Sequence, residues 1–510
     1  MKYSKIFLLL FLNIIFFSCT KLDERFRGEL SENTSGGVNP ADLLINAYNS
    51  ISGTFETGNF WHLQEHTSDE LLGPTRGPDW DDNGQWRALH AHTWNADHGI
   101  ISGAFSDLLG AQFAASNVLQ FSPSAQQAAE ARFIRALSMF AVLDGWGQVP
   151  YRENLTDYRI DPTTLKGSDG TATDFITTEL NAAINDLPDT GPAYVANKNA
   201  ARALLMKVYL NKGVFVDPAN PSFDANDMTQ VITLADQITA SGKYAIASST
   251  YFNNFAPNND AISTENIFTF YNQNGDRGQN VQGTWFQIAH YNMDPPGWNG
   301  FATLSDFYNK FDASDERLGQ YYTYPGSRPN PGHRRNVGFF IGQQYNLTTD
   351  APLQDRKGNP LVFTPEVSLR ETGNNLEVTG IRADKYAYDY ANYQSQNNND
   401  WALFRYADVL LMKAEALLRT GKDADALPIV NAVRTARGIS PLGSVTLDNL
   451  LDERGKEMYW EGWRRQDLIR FGKYLQPWQE KPTDDPKNLL FPIPSSQLAV
   501  NPNLVQNIGY

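Results

Sequence analysis

The stretch Phe404–Gly438, FRYADVLLMKAEALLRTGKDADALPIVNAVRTARG, constrains the fold more than any other part of this sequence. Leu410, Ala414, Leu417 and Leu418 recur at the three- and four-residue spacing that lines one face of an α-helix. Gly421 interrupts the pattern, and a second helix is expected from about Asp423 to Arg437, ending at Gly438. Two helices joined by so short a turn must pack antiparallel, and small residues at the crossing let their backbones approach. A chain carrying this unit builds its core between helices.

The unit resembles a tetratricopeptide hairpin. Helical periodicity returns in three more places. In AAEARFIRALSMFAVLDGWG, Phe133, Leu137, Phe140 and Ala141 share a face. In NKNAARALLMKVYLNKG, Leu204, Leu205, Val208 and Tyr209 do the same, with Gly213 as the expected stop. LDNLLDERGKEMYWEGWRRQDLIRFGKYL contains two helical pieces around Gly462. Between Pro257 and about Asn399 the periodicity fades into Gly, Pro, Asn and aromatics. NPGHRRNVGFFIG and DRKGNPLVF read there as turns and short strands. A long irregular stretch rich in aromatics is expected to be a functional, loop-rich subdomain rather than a disordered one. The expected fold is therefore mainly α, a tetratricopeptide-like scaffold of helical hairpins with a loop-rich, partly β insertion face. Residues 41–256 form the scaffold with a loop insertion at 55–100, residues 257–399 the loop-rich ligand-binding subdomain, and residues 400–510 C-terminal hairpins and a tail.

The N-terminus sets the compartment. Lys2 and Lys5 precede an apolar run, Ile6 to Phe17, too short to span a bilayer. This reads as a secretory signal over residues 1–18, followed by a tether over 19–40. Ser18–Cys19 resembles the end of a bacterial lipoprotein signal, in which the cysteine becomes the acylated first residue. An ordinary signal with an incidental cysteine is the alternative. Cys19 is the only cysteine, so no internal disulfide can form and a lipid anchor is the better use for it. CTKLDE is similar to the acidic export signals of surface lipoproteins in Bacteroidetes. Removing residues 1–18 takes away two lysines and no acid, so the net charge moves from −15 to −17. That disfavours the concentrated basic surface that nucleic acid or a polybasic membrane patch needs. Aromatics at 12%, with 11 Trp and 23 Tyr, suit sugar binding.

FRYADVLLMKAEALL, ERGKEMYWEGWRRQDLIRFG and LLFPIPSSQLAVNPNLVQNIGY, with the earlier ARFIRALSMFAVLDGWGQVPY and NAARALLMKVYL, together resemble the SusD/RagB family in composition and order. The resemblance covers nearly the whole chain apart from its variable middle. It implies a non-enzymatic, glycan-binding lipoprotein on the exterior of the outer membrane. It also implies a SusC-like TonB-dependent transporter as partner, to which captured oligosaccharide is delivered. A binder of peptide or another nutrient on the same scaffold is the alternative.

Candidate sites follow from side-chain chemistry. Sugar rings stack on aromatic faces, and their hydroxyls bond carboxylates, amides and guanidiniums. Asp69, Arg76, Asp79, Trp80 and Trp86 supply such groups in the first insertion, and Trp285, Tyr291, Trp298 and Asn299 in the second. The 69–86 and 285–299 loops are expected to share one face. Asp79, Asp81, Asn83 and Gly84 match the opening of a calcium loop, but His90 stands where the bidentate Glu belongs, so a looser calcium site competes with a plain Asp/Asn/Gly turn. His62, Glu65 and His66 match H-x-x-E-H, which would make a zinc hydrolase. Five of the seven histidines, His62, His66, His90, His92 and His98, lie in this region. Arg328, His333, Arg334 and Arg335 gather in SRPNPGHRRN, which suits acidic sugars or sulfates as well as a solvated loop. Glu453, Arg454, Glu457, Glu461, Arg464, Asp467 and Arg470 are spaced for ion pairing between helices.

The anchor is directly testable. Cys19→Ala is expected to abolish lipid labelling and release the protein from the outer-membrane fraction; unchanged labelling and fractionation would overturn the assignment.

Overall fold

Local chemistry sets the helix ends. Ser124 and Gln127 form a reciprocal capping box before the helix Ala125–Trp146, and Gly147 closes it with left-handed backbone, φ 70°. Asn197 and Asp224 each accept two backbone N–H groups at the starts of Lys198–Val216 and Ala225–Ala240. Gly213 is not the stop it was expected to be. The helix continues to Val216, and Gly213 sits where the Ser222 carbonyl crosses, so an added Cβ would collide with it. The long hairpin folds as Tyr406–Arg419 and Asp423–Ala436 with Gly421 between, and the following charged segment as Leu447–Met458 and Arg464–Arg470 on either side of Gly462.

A computed structural model of the chain describes residues 37–153, 155, 160–276 and 281–510. The signal, Cys19 and nearly all of the tether lie outside them. Pro40–Tyr510 is one unit, with a core that runs from Leu44 to Leu504. Each long helix packs on the next: Pro40–Phe55 on Gly99–Val118, then Ala125–Trp146, Thr171–Asp186, Lys198–Val216 and Ala225–Ala240. The last packs on Tyr406–Arg419, which carries Asp423–Ala436 and Leu447–Met458. The fold is mainly α, as expected. Among the described residues no helix is long and apolar enough to cross a membrane.

Short ladders stitch the irregular segments to each other. Leu71–Leu72 pairs antiparallel with Ala302–Thr303, and Thr75–Arg76 pairs parallel with Arg370–Glu371. The two insertions, distant in sequence, are thereby one surface. Asn266–Phe270 pairs with Trp401–Arg405 and closes the base of the long insertion.

The expected ion pairs form, and they are buried. Glu457 is bonded by Arg405 and Arg437 at 2.9 Å and by Arg317 at 3.1 Å. Glu461 holds Arg405 at 2.6 Å and Lys385 at 2.5 Å. Arg454 bridges Asp408 and Asp467, Arg470 bridges Glu415 and Asp467, and Glu453 takes Arg317 and Arg434. Burial alone would raise the Glu457 pKa; the three guanidiniums overcome that and hold it well below the usual carboxylate range. Removing one partner from such a cluster strands the others without compensation. Glu457→Ala is expected to lower the unfolding free energy by about 3–5 kcal/mol, read by urea denaturation with circular dichroism; a loss under about 1 kcal/mol would show that the cluster behaves like an exposed pair.

Candidate functional site

The two insertion loops meet around tryptophan. The helix Val281–Ile288 turns Trp285 inward and Phe286 outward, because neighbouring residues on a helix point about 100° apart. The following loop is tied back onto this helix: Trp298 N–H donates to the Phe286 carbonyl at 2.6 Å and Gly300 N–H to that of Gln287 at 2.8 Å. Trp298 then lies parallel to Phe286, ring centroids 5.3 Å apart and planes 16° apart, and is 54% exposed. From the first insertion, Trp80 comes over Gly300, where an added Cβ would strike its ring, and packs 4.8 Å from Phe301. Trp80 Nε1 donates to the Trp298 carbonyl at 2.9 Å. Trp80 and Asn299 both hold left-handed backbone, φ 59° and 53°. For residues with a Cβ this costs of order 1–3 kcal/mol and persists only where the surroundings impose it.

Polar groups border the rings. Tyr291 donates its hydroxyl to Asp79 at 2.8 Å. Burial and then this bond push the Tyr291 phenol up to about 12, so it stays a donor at neutral pH. The Arg356 guanidinium lies 3.8 Å over the Tyr291 ring, bonds Glu377 at 2.7 Å and reaches Asp79 at 3.4 Å. Asp79 and Arg356 keep nearly half of their side-chain surface in solvent. The result is an arc of rings, with Trp298 exposed and Phe286, Trp80 and Tyr291 half-buried beside it, edged by a carboxylate and a guanidinium.

Of the nine residues expected at a ligand, the structure presents Asp79, Trp80, Tyr291 and Trp298 to solvent and takes five inside. Asp69 is consumed by Arg464, at 2.6 and 2.8 Å. Arg76 is a clamp, donating to the carbonyls of Gly300, Leu376 and Thr379. Trp86 is buried against His66 and gives its N–H to Asp82, and Trp285 gives its own to the Tyr386 carbonyl. Asn299 is buried and accepts from Arg382 at 2.9 Å. Sequence reasoning missed Phe286 and Arg356. Phe286 was adjacent to the tryptophan chosen in its place; Arg356 lies in a turn whose packing against Tyr291 has no local signal.

Neither metal reading survives the geometry. Asp79 is turned to Tyr291 and Arg356, Asp81 to Arg87 at 2.8 Å, and Asp82 to Trp86, so the D-x-D-x-N-G carboxylates diverge onto the protein's own donors. His62 and His66 lie 5.4 Å apart by ring centroids, sealed beneath Trp86 and Phe301, while Glu65 accepts the Gly462 N–H at 2.6 Å. Among the described residues no three His, Cys, Asp or Glu side chains are placed to hold a metal ion. His90 and His92 are bonded to the backbone carbonyls of Leu71 and Thr67, and His98 to that of Gln85.

The SusD family model matches residues 233–510. The starch-binding protein SusD of Bacteroides thetaiotaomicron is 26% identical over 417 residues, covering 76% of this chain and 73% of that protein. A SusD superfamily protein of Parabacteroides distasonis superposes with a TM-score of 0.69 at 18% identity, over 93% of this chain and 100% of that one. A surface glycan-binding protein A of Bacteroides thetaiotaomicron, solved in complex with laminarihexaose, gives a TM-score of 0.68 at 18% identity, over 92% and 98%. The last two establish the shared fold.

The buried imidazoles give a pH test. Burial lowers the pKa of His62 from 6.5 to about 3, so the folded chain holds it neutral while the unfolded chain protonates it below 6.5. Its contribution to stability is complete above pH 6.5 and is lost as pH falls from there towards 3. Glu65, raised by burial to about 7, works in the opposite direction, so the effect must be read as a difference. The stability gap between the parent and His62→Gln is expected to shift against the parent by about 1.4 kcal/mol per pH unit below 6.5, measured by urea unfolding between pH 7.5 and 5; a pH-independent gap would mean that the imidazole is solvated.

Proposed function

Because this chain belongs to the SusD family, we propose that it captures oligosaccharide on the outer surface of the outer membrane and delivers it to a TonB-dependent transporter. The observation that carries the reading is the ring arc, with Trp298 exposed at its centre. Trp298, stacked on Phe286, presents a flat apolar face to solvent, and Trp80 and Tyr291 continue it at different tilts. A pyranose has apolar C–H faces and a rim of hydroxyls. Such rings stack on the aromatics while Asp79 and Arg356 bond the rim. Starch binding by the SusD relative and the laminarihexaose complex of the structural neighbour fit the same chemistry.

The chain is a binding protein and not an enzyme. The carboxylates beside the arc, Asp79 and Glu377, are both engaged with Arg356, and Tyr291 keeps its proton. Acylation at Cys19 would hold the arc near the membrane surface and its transporter, which needs no basic patch or spanning helix.

The arc is tested by substitution. Truncating a central anchor typically costs about 1–3 kcal/mol, ten- to a hundred-fold in affinity. Trp298→Ala is expected to weaken the best oligosaccharide from a glycan array by that factor in calorimetry, with an unchanged melting curve, because half of the ring is already in water. Trp80→Ala is expected to lose affinity and some stability, since its ring also covers Gly300 and Phe301. Parent-like binding by the folded Trp298→Ala protein, or selective binding of peptides over glycans, would overturn the reading.

A further inference from the structure

We propose that the cavity next to the ring arc, walled by Arg335 and Tyr388, is a second subsite that takes an oxyanion carried on a sugar ring, either a uronate carboxylate or a sulfate ester. The proposal rests on the glycan-binding reading and narrows it to acidic chains.

The cavity holds about 270 Å³, close to the lower end of small-molecule sites. Met293 and Asp294 form one wall, and they belong to the loop that carries Tyr291 and Trp298, so the cavity adjoins the arc in the chain itself. The opposite wall comes from the arginine-rich loop that the ring arc leaves unused. Most charges here are already balanced. Arg334 lies 3.5 Å over the Tyr345 ring and pairs with Asp350 at 2.6 Å, and Asp294 pairs with Arg328. Arg335 differs. It is half-buried and lines the cavity, and one guanidinium nitrogen donates to the Phe339 carbonyl at 2.6 Å. Among the described residues no carboxylate lies within ion-pair distance of it. The cavity wall therefore carries an uncompensated positive charge, held in a chain whose net charge is −15.

Tyr388 lines the same cavity with its ring, while its buried hydroxyl faces the Asp384 carboxyl and has no surface open to the cavity. A guanidinium fork supplies donors only, which matches a group rich in acceptors and without protons to give. Carboxylates and sulfates have that character, and a guanidinium binds them through two parallel N–H bonds. Tyr308 and Phe339 provide apolar surface beside the charge for the ring that bears the oxyanion.

The test is calorimetry on the mature lipoprotein in mild detergent with three hexasaccharides: laminarihexaose as the neutral probe, hexagalacturonate for carboxylate, and a κ-carrageenan hexasaccharide for sulfate. At least one acidic probe is expected to bind, which also decides between the two oxyanions. Arg335→Gln is expected to weaken it at least tenfold without changing the affinity for a neutral chain. Arg335→Lys keeps the charge but loses the fork and is expected to cost several-fold, which keeps the test intact if the glutamine variant fails to fold. In the parent protein, raising the salt towards 1 M, where the Debye length falls to about 3 Å, is expected to weaken the acidic probe alone. Binding of neutral chains through Trp298 with neither acidic probe bound overturns the subsite and leaves the arc standing. Acidic binding indifferent to both variants and to salt also overturns it. Acidic binding lost in Arg335→Gln but unchanged in Trp298→Ala upholds the subsite and overturns the arc. Binding of no probe overturns the subsite, and the arc falls with it if no glycan of the array binds either.

Discussion

The rest of the structure depends on a carboxylate that cannot leave its three arginines. Glu457 sits in the helix Leu447–Met458 and is bonded by Arg405 from the strand that closes the long insertion, Arg437 from the end of the hairpin, and Arg317 from within the insertion. Each arginine is also held by another acid: Arg405 and Arg437 by Glu265, Arg317 by Asp315 and Glu453. Desolvating such charges is expensive, and an apolar core of the same volume is often as stable. What the ions add is exclusivity. A leucine in another register is still buried in oil, whereas a guanidinium displaced from its carboxylate is a buried bare charge. A chain that leaves its scaffold for more than a hundred residues and returns has many wrong ways to re-enter, and this cluster penalises them.

The same logic reaches the ligand face. The segment after Met458 turns back through Trp460 and Gly462, whose backbone N–H groups are accepted by Glu70 at 3.0 Å and Glu65 at 2.6 Å. Arg464 takes Asp69. The acidic run that opens the first insertion is thus bolted to the charged C-terminal helices, and the loop that follows inherits its position. Asp69 misleads a reading by residue type for this reason: a carboxylate near a tryptophan loop looks like a sugar ligand, and here it fixes the base of that loop.

The scaffold was legible where helices pack on one side and end on glycine. The hairpin at 404–438 and the charged pair around Gly462 were readable because the apolar spacing is local. Gly99–Val118 and Thr171–Asp186 carry the same spacing, in Ile101, Phe105 and Leu108 and in Ile176, Leu180 and Ala183, set among small and polar residues that dilute it. Within Tyr406–Arg419 burial extends almost all round, so Leu410 and Leu418 fall at the edge of the buried surface rather than on its midline. Gly213 was misread because a glycine needed for a close backbone crossing has the same letter as one that ends a helix.

At the site, composition located the loops and could not orient them. That the 69–86 and 285–299 loops meet was inferable from their shared chemistry; which side chains face outward depends on ladders such as Leu71–Leu72 with Ala302–Thr303, set by partners hundreds of residues away. The exchange of Trp285 for Phe286 is the clearest case. Tryptophan is the better stacking surface, but the inward position of this short helix offers the Tyr386 carbonyl to an indole N–H, and a phenylalanine placed there would leave that carbonyl without its donor. Phe286 needs no partner and can face water under Trp298. The exposed ring is then stiff because its neighbours are. Its backbone is bonded to a helix end, Trp80 is bonded to its carbonyl, and left-handed residues in both loops hold the approach. A surface set before the ligand arrives loses little conformational entropy on binding. The web of buried charge, remote from the rings, contributes to binding in that way, by making the positions of Trp80 and Trp298 properties of the folded scaffold instead of choices left to the loops.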